Sequence, residues 1–165
     1  MSKRIQKVNP KLAATKRKEA DQLFASAEKA LQTGFFKWSP DYEVAASDFQ
    51  KSALAYQTAG LTDKAVNTYK RAAFCYIQTK TEYSAGKSYE AAAKLENTRK
   101  NFATAAALYQ KAAENYGNSN NNEKMAEVLV TAAKAWESDN KLKEAASVLE
   151  QATNVYEADD REYNG

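Results

Sequence analysis

Small and aromatic residues recur along this chain every twenty positions. Ala45, Phe49, Ala53 and Tyr56 return as Ala65, Tyr69, Ala73 and Tyr76, then as Ala85, Tyr89, Ala93 and Glu96. Three further steps give Ala105, Tyr109, Ala113 and Tyr116; Met125, Leu129, Ala133 and Trp136; and Ala145, Leu149, Thr153 and Tyr156. The offsets are 0, +4, +8 and +11. At about 100° per residue they fall within roughly 80° of one helix face, whereas a strand would split +4 and +11 between its two faces. Each unit is therefore predicted to be one helix, its small residues admitting a neighbour and its rings filling the gap between helices. An earlier helix is signalled by Ala20, Phe24, Ala27 and Leu31. Its register starts 25 residues before Ala45, so about five extra residues belong to the first connection.

Punctuation falls between the units: Gly60, Asn97-Thr98 with Asn101, the run Gly117–Asn122, and Asp139-Asn140. Thr62, Thr81 and Asn140 are expected N-caps, and Asp159-Asp160-Arg161 reads as a closing turn. Short links force neighbouring helices antiparallel. The expected fold is all-α: a tetratricopeptide-like, right-handed solenoid of antiparallel helix hairpins with about seven helices. The one break in the stripe, Glu96, is expected to be exposed at a helix end. Cys75, beside Tyr76, is expected to be a buried small hydrophobe.

The long first connection reads Thr33-Gly34-Phe35-Phe36-Lys37-Trp38-Ser39-Pro40-Asp41. Gly34 should end the first helix, and Ser39-Pro40 suits the cap and first position of the next. Three large aromatics in a connecting segment need a reason, because such segments run over the surface. They either fold back and cover the open end of the solenoid, Trp38 above all, or dip into a membrane. In the second case each inserted ring contributes roughly 1.5–3 kcal/mol. Lys37 and the basic N-terminal residues would then meet anionic headgroups.

Charge is unevenly placed. Lys3, Arg4, Lys7, Lys11, Lys16, Arg17 and Lys18 give residues 1–18 a charge of +7 without one acid, so the other 17 basic and 21 acidic residues leave −4 for the body. The expected organisation is a basic arm (1–18), the helical repeat (19–160, carrying the aromatic loop 33–41) and a short tail (161–165). The chain has no histidine and one cysteine. That removes Ser-His and Cys-His nucleophile pairs and zinc sites built on histidine or several thiolates. The five glycines form no phosphate-binding loop. No enzyme activity, metal, cofactor or small-molecule substrate is expected. Nucleic acid is not expected either, since the rings keep helical core spacing and the cations lie scattered among acids. A reducing, cytoplasmic setting fits the single cysteine and the lack of any apolar run near the ~20 residues of a membrane span. Lys87, Lys94, Lys111 and Lys134 fall on exposed positions of successive helices and are candidates for a partner-binding surface.

The stretch from Ala30 through Thr33-Gly34-Phe35-Phe36-Lys37-Trp38-Ser39-Pro40-Asp41-Tyr42 to Ser47 resembles the start of a gamma-type soluble NSF attachment protein, and Lys51–Tyr56 agrees with it. The likeness spans roughly residues 18–160. It implies an adaptor of vesicle fusion, peripherally attached to membrane, that binds SNARE complexes and helps recruit the NSF ATPase for their disassembly. It also implies that Phe35, Phe36 and Trp38 form a membrane-attachment element. Members of the family are nearly twice as long, and their C-terminal part stimulates the ATPase, so that coupling is expected to be incomplete in this chain. The alternative is a generic tetratricopeptide-like scaffold that grips a peptide in its groove.

Overall fold

The computed structural model describes residues 9–163. Among them the chain forms seven helices in an unbroken ladder: α1 (Pro10–Leu31), α2 (Tyr42–Thr58), α3 (Thr62–Gln78), α4 (Glu82–Thr98), α5 (Phe102–Asn118), α6 (Asn122–Ser138) and α7 (Leu142–Tyr163). Helices α2 to α6 each have 17 residues and start twenty residues apart, so the recurrence is a 17-residue helix plus a three-residue link. Each helix packs chiefly on its sequence neighbours. This is the expected solenoid of helix hairpins.

The alanines at offsets 0 and +8 are almost completely buried, from Ala45 and Ala53 through Ala133 and Ala145. The buried band is wider than the sequence stripe. Offset +3 (Thr68, Ser88, Leu108, Val128), offset +7 (Ser52, Ala72, Ala92, Ala112, Ala132) and offset +10 (Ala55, Cys75, Asn115, Ala135) are buried as well. With these, roughly half of each helix circumference is covered, because an inner rung touches a helix on each side. The terminal rung α7 separates the two sides. Ala145, Val148 and Ala152 are buried against the preceding helices, while Leu149, Thr153 and Tyr156 are exposed. The expectation that this last stripe would be buried is thus corrected: no described helix follows α7 to cover its +4, +8 and +11 positions.

The links share one geometry. Gly60, Lys80, Lys100, Asn120 and Asn140, each the middle residue of a link, have φ between 54° and 75°. The N–H of the next residue reaches back to the carbonyl of the +11 residue, as in Leu61 to Tyr56 (2.9 Å), Thr81 to Tyr76 (2.8 Å) and Asn121 to Tyr116 (2.9 Å). The middle N–H bonds one residue later, as in Lys80 to Ile77 at 3.0 Å. This is the Schellman arrangement, in which the left-handed residue turns the chain and satisfies orphan helix carbonyls.

Several local expectations change with it. Thr62 lies inside α3, Thr81 occupies the cap position but its hydroxyl bonds back to Thr79 and not to the helix, and Asn140 is a left-handed turn residue. The side chains that do cap are Asn9, Asp41 and Asn121, which accept from Lys11, Val44 and Lys124 N–H groups. Asp41, not Ser39-Pro40, therefore starts α2. Residues 159–161 continue α7 as helix rather than forming a turn. Glu96 is 6% exposed, not solvated. It occupies the +11 position, where the preceding units place the buried Tyr56 and the half-buried Tyr76. Its carboxylate accepts from the Asn101 side-chain amide at 2.6 Å and lies 3.5 Å from Arg99 Nη1. A hydrogen bond thus replaces the apolar contact that commonly accompanies this cap.

Buried and half-buried rings at +11 also find polar partners on the preceding helix. Tyr56 donates to Asp21 at 2.6 Å, Tyr116 to Glu90 at 2.7 Å and Trp136 Nε1 to Gln110 at 3.1 Å. The first hairpin is tied to α3 by Arg71, which pairs with Glu28 and lies over the Phe24 and Phe49 rings at 5.2 and 4.5 Å. Cys75 is fully buried, and burial pushes its thiol above the usual range.

Candidate membrane-facing loop

The connection from α1 to α2 is ten residues long, against three for every later link. Helix α1 stops at its +11 residue, Leu31, two residues earlier than the inner rungs, which leaves the net shift of five seen in the register. Gly34 and Lys37 exchange backbone bonds of 2.8 and 3.1 Å, so Phe35 and Phe36 form the corner of a tight turn. Asp41 N–H returns to the Ala30 carbonyl at 2.9 Å and closes the loop on the last turn of α1.

The rings of this turn do not cover the solenoid. Phe35 is 89% exposed, Phe36 92% and Trp38 90%. That excludes the capping alternative for Trp38. Phe35 and Phe36 touch only edge to face, with ring centroids 5.1 Å apart. Elsewhere the large buried rings sit at 0–5% exposure, so the loop is a different environment, not an imperfect core.

Lys37 does not share this exposure. It is half-buried, and its Nζ donates to the Ala30 carbonyl. The basic N-terminal residues are not beside the loop either. Residues 10–18 are not a separate arm but the first turns of α1, which correct that boundary. Lys11, Lys16, Arg17 and Lys18 lie about 20–30 Å along the helix from its loop end. Loop and cations meet one flat surface only if α1 lies along it. Lys3, Arg4 and Lys7 fall outside the described residues, as do the last two residues of the tail. The overhanging start of α1 forms one wall of an open groove of about 670 Å³, with Ala13, Arg17, Gln22, Ala59 and Leu61 among its lining residues.

The four candidate partner-binding lysines are all exposed, but they do not form one cluster of free charge. Lys94 is paired with Glu90 at 2.5 Å, Lys111 lies over the Tyr89 ring at 5.7 Å, and Lys87 lies over Tyr83 at 6.0 Å. Lys134 makes no ion pair among the described residues. Glu90 is a more crowded site than its neighbours. Burial raises its pKa, but bonds from Lys94 and Tyr116 outweigh that and hold it below the usual carboxylate range. Sequence reading missed this half-buried junction, since nothing marks offset +5 as facing the next helix. Among the described residues no group of three or more His, Cys, Asp or Glu could hold a metal ion, and no helix is long and apolar enough to cross a membrane.

A ladder of helix pairs with one ring-bearing loop among its described residues defines a helical-repeat protein. The family model for soluble NSF attachment proteins matches residues 18–164, and the chain belongs to that family. It is 27% identical over 76 residues to the gamma-soluble NSF attachment protein of Dictyostelium discoideum. That alignment covers 46% of this chain and 24% of the relative. Among solved structures, BtubC (BKLC) from P. vanneervenii aligns with 88% of this chain and 75% of its own, at a TM-score of 0.50 and 12% identity, a likeness of fold alone.

Proposed function

We propose that this chain is a fusion adaptor that attaches to membrane through Phe35, Phe36 and Trp38 and engages SNARE complexes on behalf of the NSF ATPase. The observation that carries the membrane part is the near-complete exposure of three large rings on a turn pinned to the end of a helix. Isolated exposed apolar residues need no explanation, but a contiguous cluster does. Each ring inserted contributes roughly 1.5–3 kcal/mol. One loop then gives weak, reversible attachment, and several copies acting together hold firmly.

The partner assignment rests on family membership. The chain acts as a scaffold and not a catalyst. Lys134 is the strongest of the four lysines as a contact for an acidic SNARE bundle, because Lys94 is already paired and Lys87 and Lys111 lie against rings. The test is flotation of Phe35→Ser/Phe36→Ser with liposomes against the wild type, together with a pull-down on assembled SNARE bundle. Loss of flotation with retained bundle binding is expected. Unchanged flotation removes the membrane role, and a failed pull-down of the wild type removes the SNARE role.

A further inference from the structure

We propose that Lys37 is a positioning residue that pins the aromatic turn to the end of α1, and that its ammonium does not contact lipid. The inference rests on the membrane reading of the loop and reverses the headgroup role expected for this lysine. Three observations carry it. The Ala30 carbonyl belongs to the last turn of α1, where carbonyls lack intrahelical partners. It accepts from both Lys37 Nζ and Asp41 N–H, so one oxygen fastens the middle and the end of the loop. A cation at a helix C-terminus is also favoured by the helix dipole.

The second observation is alternation. Phe36 and Trp38 are 92% and 90% exposed, while Lys37 between them is half-buried. Extended backbone sends successive side chains to opposite sides. Turning Lys37 inward therefore turns Trp38 outward, while Phe36 stands at the corner of the turn. The third is the size of the turn. A two-residue hairpin is marginal in water by itself. Only the two bonds between Gly34 and Lys37 hold this one internally, so an outside anchor is needed to keep the rings displayed. Holding them in the inserting arrangement lowers the ordering cost of attachment.

The test uses Lys37→Met, which keeps the apolar stem and removes donors and charge. Hydrogen exchange is read at the amides of residues 34, 37 and 41 in the protein free in solution. Partitioning is read on phosphatidylcholine vesicles and on vesicles that also contain phosphatidylserine. Expected are faster exchange at these amides and about threefold to tenfold weaker partitioning, equal on the two vesicles. Unchanged exchange, or a loss confined to the phosphatidylserine vesicles, would overturn the proposal. If Phe35→Ser/Phe36→Ser leaves partitioning untouched, the membrane reading fails, while the exchange measurement still decides whether Lys37 is a pin.

Discussion

The connection between α1 and α2 and the five links that follow it solve the same problem, reversing the chain, by different means. The links use three residues, a left-handed middle position and a carbonyl on the +11 residue whose side chain is buried or half-buried. None of their residues is a large exposed aromatic, and their middle residues stand in solvent. The first connection uses ten residues, has no left-handed residue, and fastens itself to one carbonyl near the end of α1. Its rings face away. A chain that can turn in three residues does not need ten to turn. The additional length holds three exposed aromatics clear of the core, and that difference separates scaffold from site.

The largest effect expected from this contrast is on stability. Phe49 is completely buried between α1 and α3, in contact with Phe24 and under Arg71. Phe49→Ala should cost about 3–5 kcal/mol in denaturant unfolding. Phe36→Ala should change stability by less than about 0.5 kcal/mol, as expected for an exposed position, while weakening membrane partitioning. Equal losses for the two variants would erase the distinction between loop and core.

The scaffold side of the comparison is legible in the sequence because it is periodic. Helix number, the 17-plus-three spacing and the burial of the alanines follow from a stripe that returns every twenty residues. The loop was legible as an interruption of that period together with aromatics off any stripe. What could not be read depends on neighbours in space. The direction of Trp38 is set by whether Lys37 turns inward. The burial of Glu96 depends on Asn101 lying within reach across a turn, and the exposure of Leu149 and Tyr156 on which side of α7 lacks a neighbour. Thr62 and Asn140 look like caps by residue type, but the Schellman turn decides the boundary, and there Asn serves equally well as a left-handed residue.

Alkaline pH should sharpen the contrast next, because rings in the core titrate and those in the loop do not. Burial, then the bond to Asp21, raises the Tyr56 hydroxyl to about 12, and burial with Glu90 beside it raises Tyr116 further. An unfolded tyrosine ionises near 10. The stabilisation is therefore complete below pH 10 and is lost as pH rises toward the folded value, at about 1.4 kcal/mol per unit for each such tyrosine. Thermal unfolding followed from pH 8 to 12 should show a flat region and then a steep fall. In Tyr56→Phe the fall above pH 10 should be shallower. Asp21 and Glu90 are lowered in the fold, so their contribution is present above the ordinary carboxylate range and fades as pH drops through it.

A smaller test concerns the link that departs most from the others in its chemistry. Asn101→Ala removes the amide that satisfies the buried Glu96 carboxylate and should cost about 1–3 kcal/mol. Replacing both partners, Glu96→Leu with Asn101→Leu, restores the apolar cap contact and should return most of that loss. A double-mutant cycle in urea measures the coupling. Additive losses would mean that Glu96 is held by Arg99 alone.

The smallest expected effect bears on what a link requires. Lys80 and Lys100 hold φ of 54° and 64°, which a side chain with a Cβ tolerates poorly, whereas Gly60 holds 75° without penalty. No described carboxylate pairs with either lysine. If the links serve only to reverse the chain, Lys80→Gly and Lys100→Gly should each stabilise the protein by about 0.5–1 kcal/mol, the left-handed penalty relieved less the extra freedom glycine gives the unfolded chain. The two positions lie at opposite ends of α4, about 25 Å apart along a 17-residue helix, and of the two only Lys80 is on the edge of the ladder that carries the aromatic loop. Equal gains with unchanged vesicle partitioning confirm that both links are pure turns. A loss of partitioning in Lys80→Gly alone would move Lys80 from the scaffold to the site and show that the membrane-facing region reaches past the first connection onto the second link.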